Sequence, residues 1–235
     1  MRYAIYFSPP RDHALTRLAS SWMGRDAFSG EDVPLPPRLP LSHEDIAYKT
    51  AAARRYGFHA TLKAPFEINE RENETALLAA ADDFCSKMQP FEIPALRVTL
   101  LDGFIALTPF SPSPDLDKLA DDVVTAFDGF RAPIDEAEFA RRNPDRLSIR
   151  QVRNLREWGY PYVFEDFRFH MTLTGPVEPR EAPVLARMIE DVFAPVLVEP
   201  LLIDRICIFV EPKPAGPFRV LSSHAFGVDA LRRSA

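Results

Sequence analysis

Tyr56-Gly57-Phe58-His59-Ala60-Thr61-Leu62-Lys63-Ala64-Pro65-Phe66 is echoed later in the chain by Phe167-Arg168-Phe169-His170-Met171-Thr172-Leu173-Thr174-Gly175-Pro176-Val177. Aligning the two histidines matches a Phe, a His, a Thr and a Leu, and a proline recurs three residues after each leucine. The copies lie close to half the 235-residue chain apart, so a duplicated, two-lobed architecture is expected. Each copy alternates like a strand, whose side chains at i and i+2 share a face. His59, Thr61 and Lys63 are expected on one polar face, with Phe58, Ala60 and Leu62 behind them. In the second copy Arg168, His170, Thr172 and Thr174 share the polar face, and Phe169, Met171 and Leu173 the apolar one.

The apolar faces need helices to cover them, which leaves the His/Thr faces to line a polar cleft. At about 3.3 Å of rise per residue, the His and Thr β-carbons of one copy sit roughly 7 Å apart, enough to bracket a phosphate. Two imidazoles around one anion supply a general base for water and a general acid for the leaving oxygen. Two threonine hydroxyls supply donors where charge develops on the nonbridging oxygens. One His-x-Thr in a strand is ordinary structure; its recurrence in the same apolar frame is what singles it out. The catalytic candidates are therefore His59 and His170, with Thr61, Thr172, Lys63 and Arg168 as phosphate ligands and Tyr6 and Tyr56 flanking the substrate. An ordinary solvated charge is the competing reading for Lys63 and Arg168, and a core aromatic for the two tyrosines.

Outward from the repeat, the pattern reads as α+β. Tyr3–Phe7, Ile93–Leu101, Phe104–Phe110, Leu201–Val210 and Phe218–Ser223 read as strands, and Asp102-Gly103 is a tight hairpin signal. Helices are expected over Asp12–Met23, Asn73–Met88, Asp115–Phe127, Pro144–Trp158 and Pro179–Phe193. Pro34, Pro36, Pro37 and Pro40 make residues 28–42 a surface loop. The chain is expected to form one two-lobed domain over residues 1–235, the first motif copy within 1–110 and the second within 111–235.

Composition narrows the function classes. With 46% hydrophobic and 26% charged residues, the chain matches folded proteins rather than disordered or fibrous ones. The brief apolar run at Ala4–Phe7 is too short for a signal peptide, and no stretch reaches the roughly 20 residues of a membrane span. A cytoplasmic protein without membrane partners is expected. Cys85 and Cys207 read as core filler rather than a disulfide. The net charge of −6 and the absence of a basic run favour a small phosphorylated ligand over long nucleic acid. No clustered metal-ligand spacing occurs, and neither a Gly-x-x-x-x-Gly-Lys loop nor a Gly-x-Ser-x-Gly elbow is present; no metal or cofactor is expected. His13, His43 and His224 read as surface or core residues. Oligomeric state is open.

His59-Ala60-Thr61-Leu62 and His170-Met171-Thr172-Leu173 resemble the paired His-x-Thr/Ser-x signature of the two-histidine phosphoesterase superfamily. The resemblance implies a bilobal α+β fold with pseudo-twofold antiparallel sheets, helices on the outer faces and a site between the lobes. It also implies action on 2′,3′-cyclic nucleotides, other cyclic phosphates or 2′–5′ linked ends. Arg2-Tyr3-Ala4-Ile5-Tyr6-Phe7, Ser21-Trp22-Met23-Gly24-Arg25-Asp26 and the Tyr56–Phe66 stretch look like the branch that accompanies phosphonate-degradation (carbon–phosphorus lyase) operons. That implies a cyclic sugar phosphate or another phosphonate-pathway intermediate, rather than RNA, as substrate. The expected activity is a metal-independent cyclic phosphodiesterase, with RNA-end processing and a non-catalytic phosphate-metabolite sensor as alternatives.

Overall fold

A computed structural model describes residues 1–37, 39 and 41–227; Pro40, part of the proline-rich loop, lies outside the described residues. In chain order the elements are β1 (Arg2–Phe7), α1 (Ala14–Met23), α2 (His43–Tyr56), β2 (Ala60–Phe66), α3 (Glu74–Ser86), β3 (Phe91–Ile93), β4 (Leu96–Leu101) and β5 (Phe104–Pro109). There follow α4 (Pro114–Ala126), α5 (Glu136–Arg141), α6 (Ile149–Trp158), β6 (Met171–Pro176), α7 (Ala182–Phe193), β7 (Leu201–Ile203), β8 (Arg205–Glu211) and β9 (Arg219–Ala225).

Seven strands form one sheet in the order β4-β5-β6-β2-β1-β8-β9, and β3 pairs with β7 in a small second sheet. All pairings are antiparallel, so the fold is the α+β arrangement expected from the sequence. The two motif strands, β6 and β2, are neighbours at the centre of the large sheet. They meet at the single register pair Ala60↔Met171. Next to this junction the Trp22 indole donates to the Leu173 carbonyl at 2.9 Å, which ties α1 to β6 and satisfies a backbone acceptor.

The sides of the sheet are not the halves of the sequence. β4 and β5 join β6, whereas β8 and β9 return to pair with β1. Each side therefore draws strands from both 1–110 and 111–235, and the two cannot separate as consecutive lobes.

The two faces of the sheet have different jobs. Tyr3, Ile5 and Phe7 of β1 point into the main core, together with Leu62, Leu107, Met171, Leu173 and the helical residues Trp22, Leu77, Val123 and Ile189. Ala4 and Tyr6 point the other way, into a smaller aromatic cluster with Phe209 and Phe218. β1 is thus buried on both faces, which explains why Tyr3–Phe7 reads as a continuous apolar run.

Local signals account for most boundaries. Asp102 and Gly103 both adopt positive φ and close β4 onto β5, as a two-residue hairpin requires. Asn73 caps α3 by accepting from the Ala76 N–H, and Gly24 ends α1 in the left-handed region. The helix expected over Pro144–Trp158 starts later, at Ile149, because Ser148 and Gln151 form a reciprocal capping box there. The strand expected over Leu201–Val210 breaks at Asp204 into β7 and β8, which belong to different sheets. Helices α2 and α5 were not expected. Cys85 and Cys207 are buried free thiols, and among the described residues no helix is long and apolar enough to cross a membrane.

Trp22→Phe should lower unfolding free energy by about 1–3 kcal/mol, because it leaves the buried Leu173 carbonyl without its donor. Denaturant unfolding of wild type and variant checks this; an unchanged midpoint would remove Trp22 from the account of the junction.

Candidate active site

His59 and His170 each sit one residue before their strand, at the point where β2 meets β6. Extending the antiparallel register one step from Ala60↔Met171 sets His59 across from Thr172 and Thr61 across from His170. Cross-strand partners of this kind have β-carbons about 4.5–5.5 Å apart. The four residues therefore form a compact quartet on the face that also carries Tyr6.

Both imidazoles are held in the same way. The Nδ1 of His59 lies 2.8 Å from the Gly57 carbonyl, and the Nδ1 of His170 lies 2.8 Å from the Arg168 carbonyl. A carbonyl only accepts, so in each ring Nδ1 carries the proton and Nε2 is left as the reactive atom. Thr61 Oγ1 is 3.3 Å from His59 Nε2.

Gly57 supports this arrangement. Its N–H caps α2 through the Ala53 carbonyl, and its φ of 79° with ψ of 174° is a conformation essentially restricted to glycine. A β-carbon there would collide with that of Ala27. The helix end and the histidine anchor are therefore the same residue.

The surroundings of the two histidines differ. Tyr6 stacks on His59 with ring centroids 3.8 Å apart and planes 19° apart; Phe209 and Tyr56 stand further off, at 5.9 and 6.2 Å. Burial in this aromatic enclosure, opposed by the Gly57 carbonyl and reinforced by His170, lowers the His59 pKa to about 4. Burial also lowers the His170 pKa, but the Arg168 carbonyl and the Asp102 carboxylate favour its charged form. Phe104 is its aromatic neighbour, at 5.6 Å. The symmetric motif thus sits in an asymmetric field, with His59 the harder of the two to protonate.

A cavity of about 300 Å³ has Tyr6, Tyr56, His59, Thr61 and Thr172 in its wall, so three of the quartet line it and His170 stands outside the lining. Tyr6 is almost fully buried and acts as the platform under His59. Tyr56 stacks on Phe218, at 5.1 Å, and lines the cavity. Thr174 also lines the cavity, but its hydroxyl accepts from the Ile105 N–H and donates to the Gly175 carbonyl, a structural duty.

Two expected phosphate ligands are placed otherwise. Lys63 does not continue the His59/Thr61 face. The register of β1 against β2 steps from Tyr6↔Thr61 to Ile5↔Lys63, so β2 carries an extra residue there and the alternation reverses. Lys63 is turned to α4, where its ammonium donates to the Val124 carbonyl and pairs with Asp128 at 3.0 Å; Ala64 faces the cavity in its place. Arg168 precedes β6, outside the alternating run. Its guanidinium is exposed, 3.8 Å from Asp102, and its contribution to the site is the backbone carbonyl that holds His170.

Residues the sequence did not point to complete the wall: Phe104, Arg142 and Tyr160, with Ala52 and Ala53 of α2. Arg142 and Tyr160 lie outside any amphipathic repeat, and an Arg-Arg pair at 141–142 was their only signal. Of the remaining histidines, His13 caps α1 and His43 opens α2 behind its cap, Ser42. His224 bridges Ser222 and Asp82, tying β9 to α3. Among the described residues no three His, Cys, Asp or Glu side chains gather as metal ligands.

Comparison with known proteins adds the following. A family described as "Protein of unknown function (DUF1045)" matches residues 61–219. A protein named ribose 1,5-bisphosphate phosphokinase PhnN from Janthinobacterium sp. (strain Marseille) is 42% identical over 226 residues, covering 92% of this chain and 49% of the relative. Its namesake from Laribacter hongkongensis (strain HLHK9) is 36% identical over 222 residues, covering 94% and 50%. The chain thus spans about half the length of the curated relatives it matches. Among solved structures, TT0787 of Thermus thermophilus aligns at 17% identity and a TM-score of 0.44, covering 97% of this chain and 98% of that one. LigT of E. coli complexed with 3′-AMP aligns at 12% and 0.42, covering 96% and 97%.

Two outcomes are expected of this geometry. In an NMR titration the His59 ring should change charge near pH 4, and His170 below the ordinary histidine value of about 6.5; a His59 titration near 6.5 would contradict the aromatic enclosure. Gly57→Ala should cost about 1–3 kcal/mol of stability through backbone strain, read by thermal unfolding against Gly129→Ala, a glycine outside the left-handed region with open space around it.

Proposed function

The chain belongs to the DUF1045 family, and from the geometry of its paired histidines we propose that it is a metal-independent cyclic phosphodiesterase acting on a small sugar phosphate. The observation that carries this reading is the identical Nδ1 anchoring of His59 and His170, which leaves both Nε2 atoms uncommitted to backbone, that of His59 lying 3.3 Å from Thr61 Oγ1. It agrees with the resemblance of the two motif copies to two-histidine phosphoesterases.

In the proposed step the neutral Nε2 of His59 takes a proton from water as the water oxygen bonds to phosphorus. The bond from phosphorus to one ring oxygen of the cyclic ester breaks, and Nε2–H of protonated His170 gives its proton to that oxygen. Water is consumed, and the product is a phosphate monoester beside a free hydroxyl. Thr61 and Thr172 donate to the nonbridging oxygens. The base role goes to His59 because burial in its enclosure favours the neutral ring, and the acid role to His170, whose pKa burial also lowers but which the Arg168 carbonyl and Asp102 leave the easier of the two to protonate.

The curated relatives suggest the sugar. They are named for ribose 1,5-bisphosphate, and this chain, which carries no Gly-x-x-x-x-Gly-Lys loop, matches only half of each. Opening a 1,2-cyclic phosphate of ribose 5-phosphate at its O2–P bond would yield ribose 1,5-bisphosphate. A hydrolase half of this kind would deliver the substrate for which the whole relative is named.

The test is hydrolysis of ribosyl 1,2-cyclic and nucleoside 2′,3′-cyclic phosphates in excess chelator, for wild type, His59→Ala and His170→Ala. Chelator-resistant turnover, reduced about 10²- to 10⁴-fold in each variant, is expected. Turnover that survives both substitutions would overturn the assignment, and tight binding without turnover would make the protein a sensor. The base must be neutral and the acid charged, so kcat/KM should fall below about pH 4, where His59 protonates, and again as His170 loses its proton below its ordinary value of about 6.5. An optimum above pH 7 would contradict these roles.

A further inference from the structure

Beside the catalytic cavity lies a larger one, of about 930 Å³. The two share Tyr56, Ala64, Pro65, Arg142 and Tyr160, so they adjoin, with Arg142 and Tyr160 in the wall of both. Six basic side chains line the larger cavity against four acidic ones, in a protein whose net charge is −6.

The cations come in pairs, each sharing one carboxylate. Arg2 and Arg55 share the buried Glu211, Lys63 and Arg131 share Asp128, and Arg141 and Arg142 share Glu138. Each cluster holds one positive charge more than its carboxylate neutralises. Glu67 and Asp135 also stand in the wall and offset part of that excess, leaving the lining net positive.

Arg142 is the least committed of the six. Its contact with Glu138 is long, at 3.5 Å, and its buried Nε has no hydrogen-bond partner. Its guanidinium lies over the Tyr160 ring, 5.4 Å from the centroid, which steadies the planar fork without using its donors. A buried guanidinium N–H without a partner is costly unless a ligand supplies the acceptor. The Tyr160 hydroxyl, protonated at neutral pH like any phenol, is a further donor in the same wall.

We propose that the larger cavity is a subsite for a second anionic group, a phosphate monoester carried by the same substrate as the cyclic phosphate, with Arg142 as its principal ligand. This rests on the cyclic phosphodiesterase reading for what occupies the smaller cavity. The preferred substrate is then a cyclic phosphate bearing a second phosphate on the sugar, and a plain cyclic nucleotide fills only part of the space. Arg142 acts in specificity rather than in bond breaking.

The decisive experiment measures binding, so it does not depend on turnover. Calorimetric affinities of ribose 1,5-bisphosphate and ribose 1-phosphate are compared in the wild type, Arg142→Gln and Arg142→Lys. The wild type is expected to favour the bisphosphate at least about 10-fold, as a charge-assisted contact implies. Arg142→Gln should bring the ratio near one, and Arg142→Lys should restore part of it. No wild-type preference, a preference retained in Arg142→Gln, or binding of neither ligand would overturn the subsite. Absence of cyclic phosphate hydrolysis with the preference intact would instead sink the hydrolase reading alone.

Discussion

One backbone contact organises this molecule: the antiparallel pairing of Ala60 with Met171 at the centre of the large sheet. A strand's side chains alternate, and a slip of one residue would carry the histidine of either strand to the opposite face. Fixing this single pair therefore fixes the quartet of His59, Thr61, His170 and Thr172. The surrounding structure defends it from both sides. Trp22 holds β6 through the Leu173 carbonyl, and Gly57 holds His59 while it ends α2. Because β8 and β9 return to β1 while β4 and β5 flank β6, the junction is enclosed by strands from both ends of the chain.

Duplication gives the site its symmetry, and the surroundings remove it. Each motif copy anchors its imidazole to the carbonyl two residues earlier, so both present Nε2. One ring is stacked on Tyr6 beside Phe209, while the other feels Asp102. Two identical groups with the same pKa would share both protonation states. Two groups with separated affinities divide the labour of base and acid. The aromatic cluster of Tyr6, Phe209 and Phe218 thus sets the asymmetry of the two rings as well as packing the second face of β1.

The sequence was informative where a periodic signal and the tertiary structure agreed. The repeat, the hairpin at Asp102-Gly103 and the helices with apolar stripes were legible because each is specified locally. Lys63 was misplaced because a bulge after Thr61 reverses the alternation without leaving a mark in the residue types. Arg168 differs from the expectation in that its guanidinium is exposed beside Asp102, the solvated charge that was its competing reading. Helix α2 was missed since its buried residues are few, Ile46, Thr50 and Ala53, and its stability comes from capping and helix-forming alanines rather than an apolar stripe. Arg142 and Tyr160 belong to the site only through tertiary folding, and the Arg141-Arg142 pair alone does not say where it will face.

The central claim is that His59 and His170 act together on one phosphorus atom. A crystal structure with a vanadate ester bound in the cavity tests it most directly, since five-coordinate vanadium imitates the transition state. The account predicts the Nε2 atoms of His59 and His170 each within about 3.2 Å of an apical oxygen, on opposite sides of the metal, with Thr61 and Thr172 on equatorial oxygens. Vanadate held by only one histidine, or bound away from both, would contradict it.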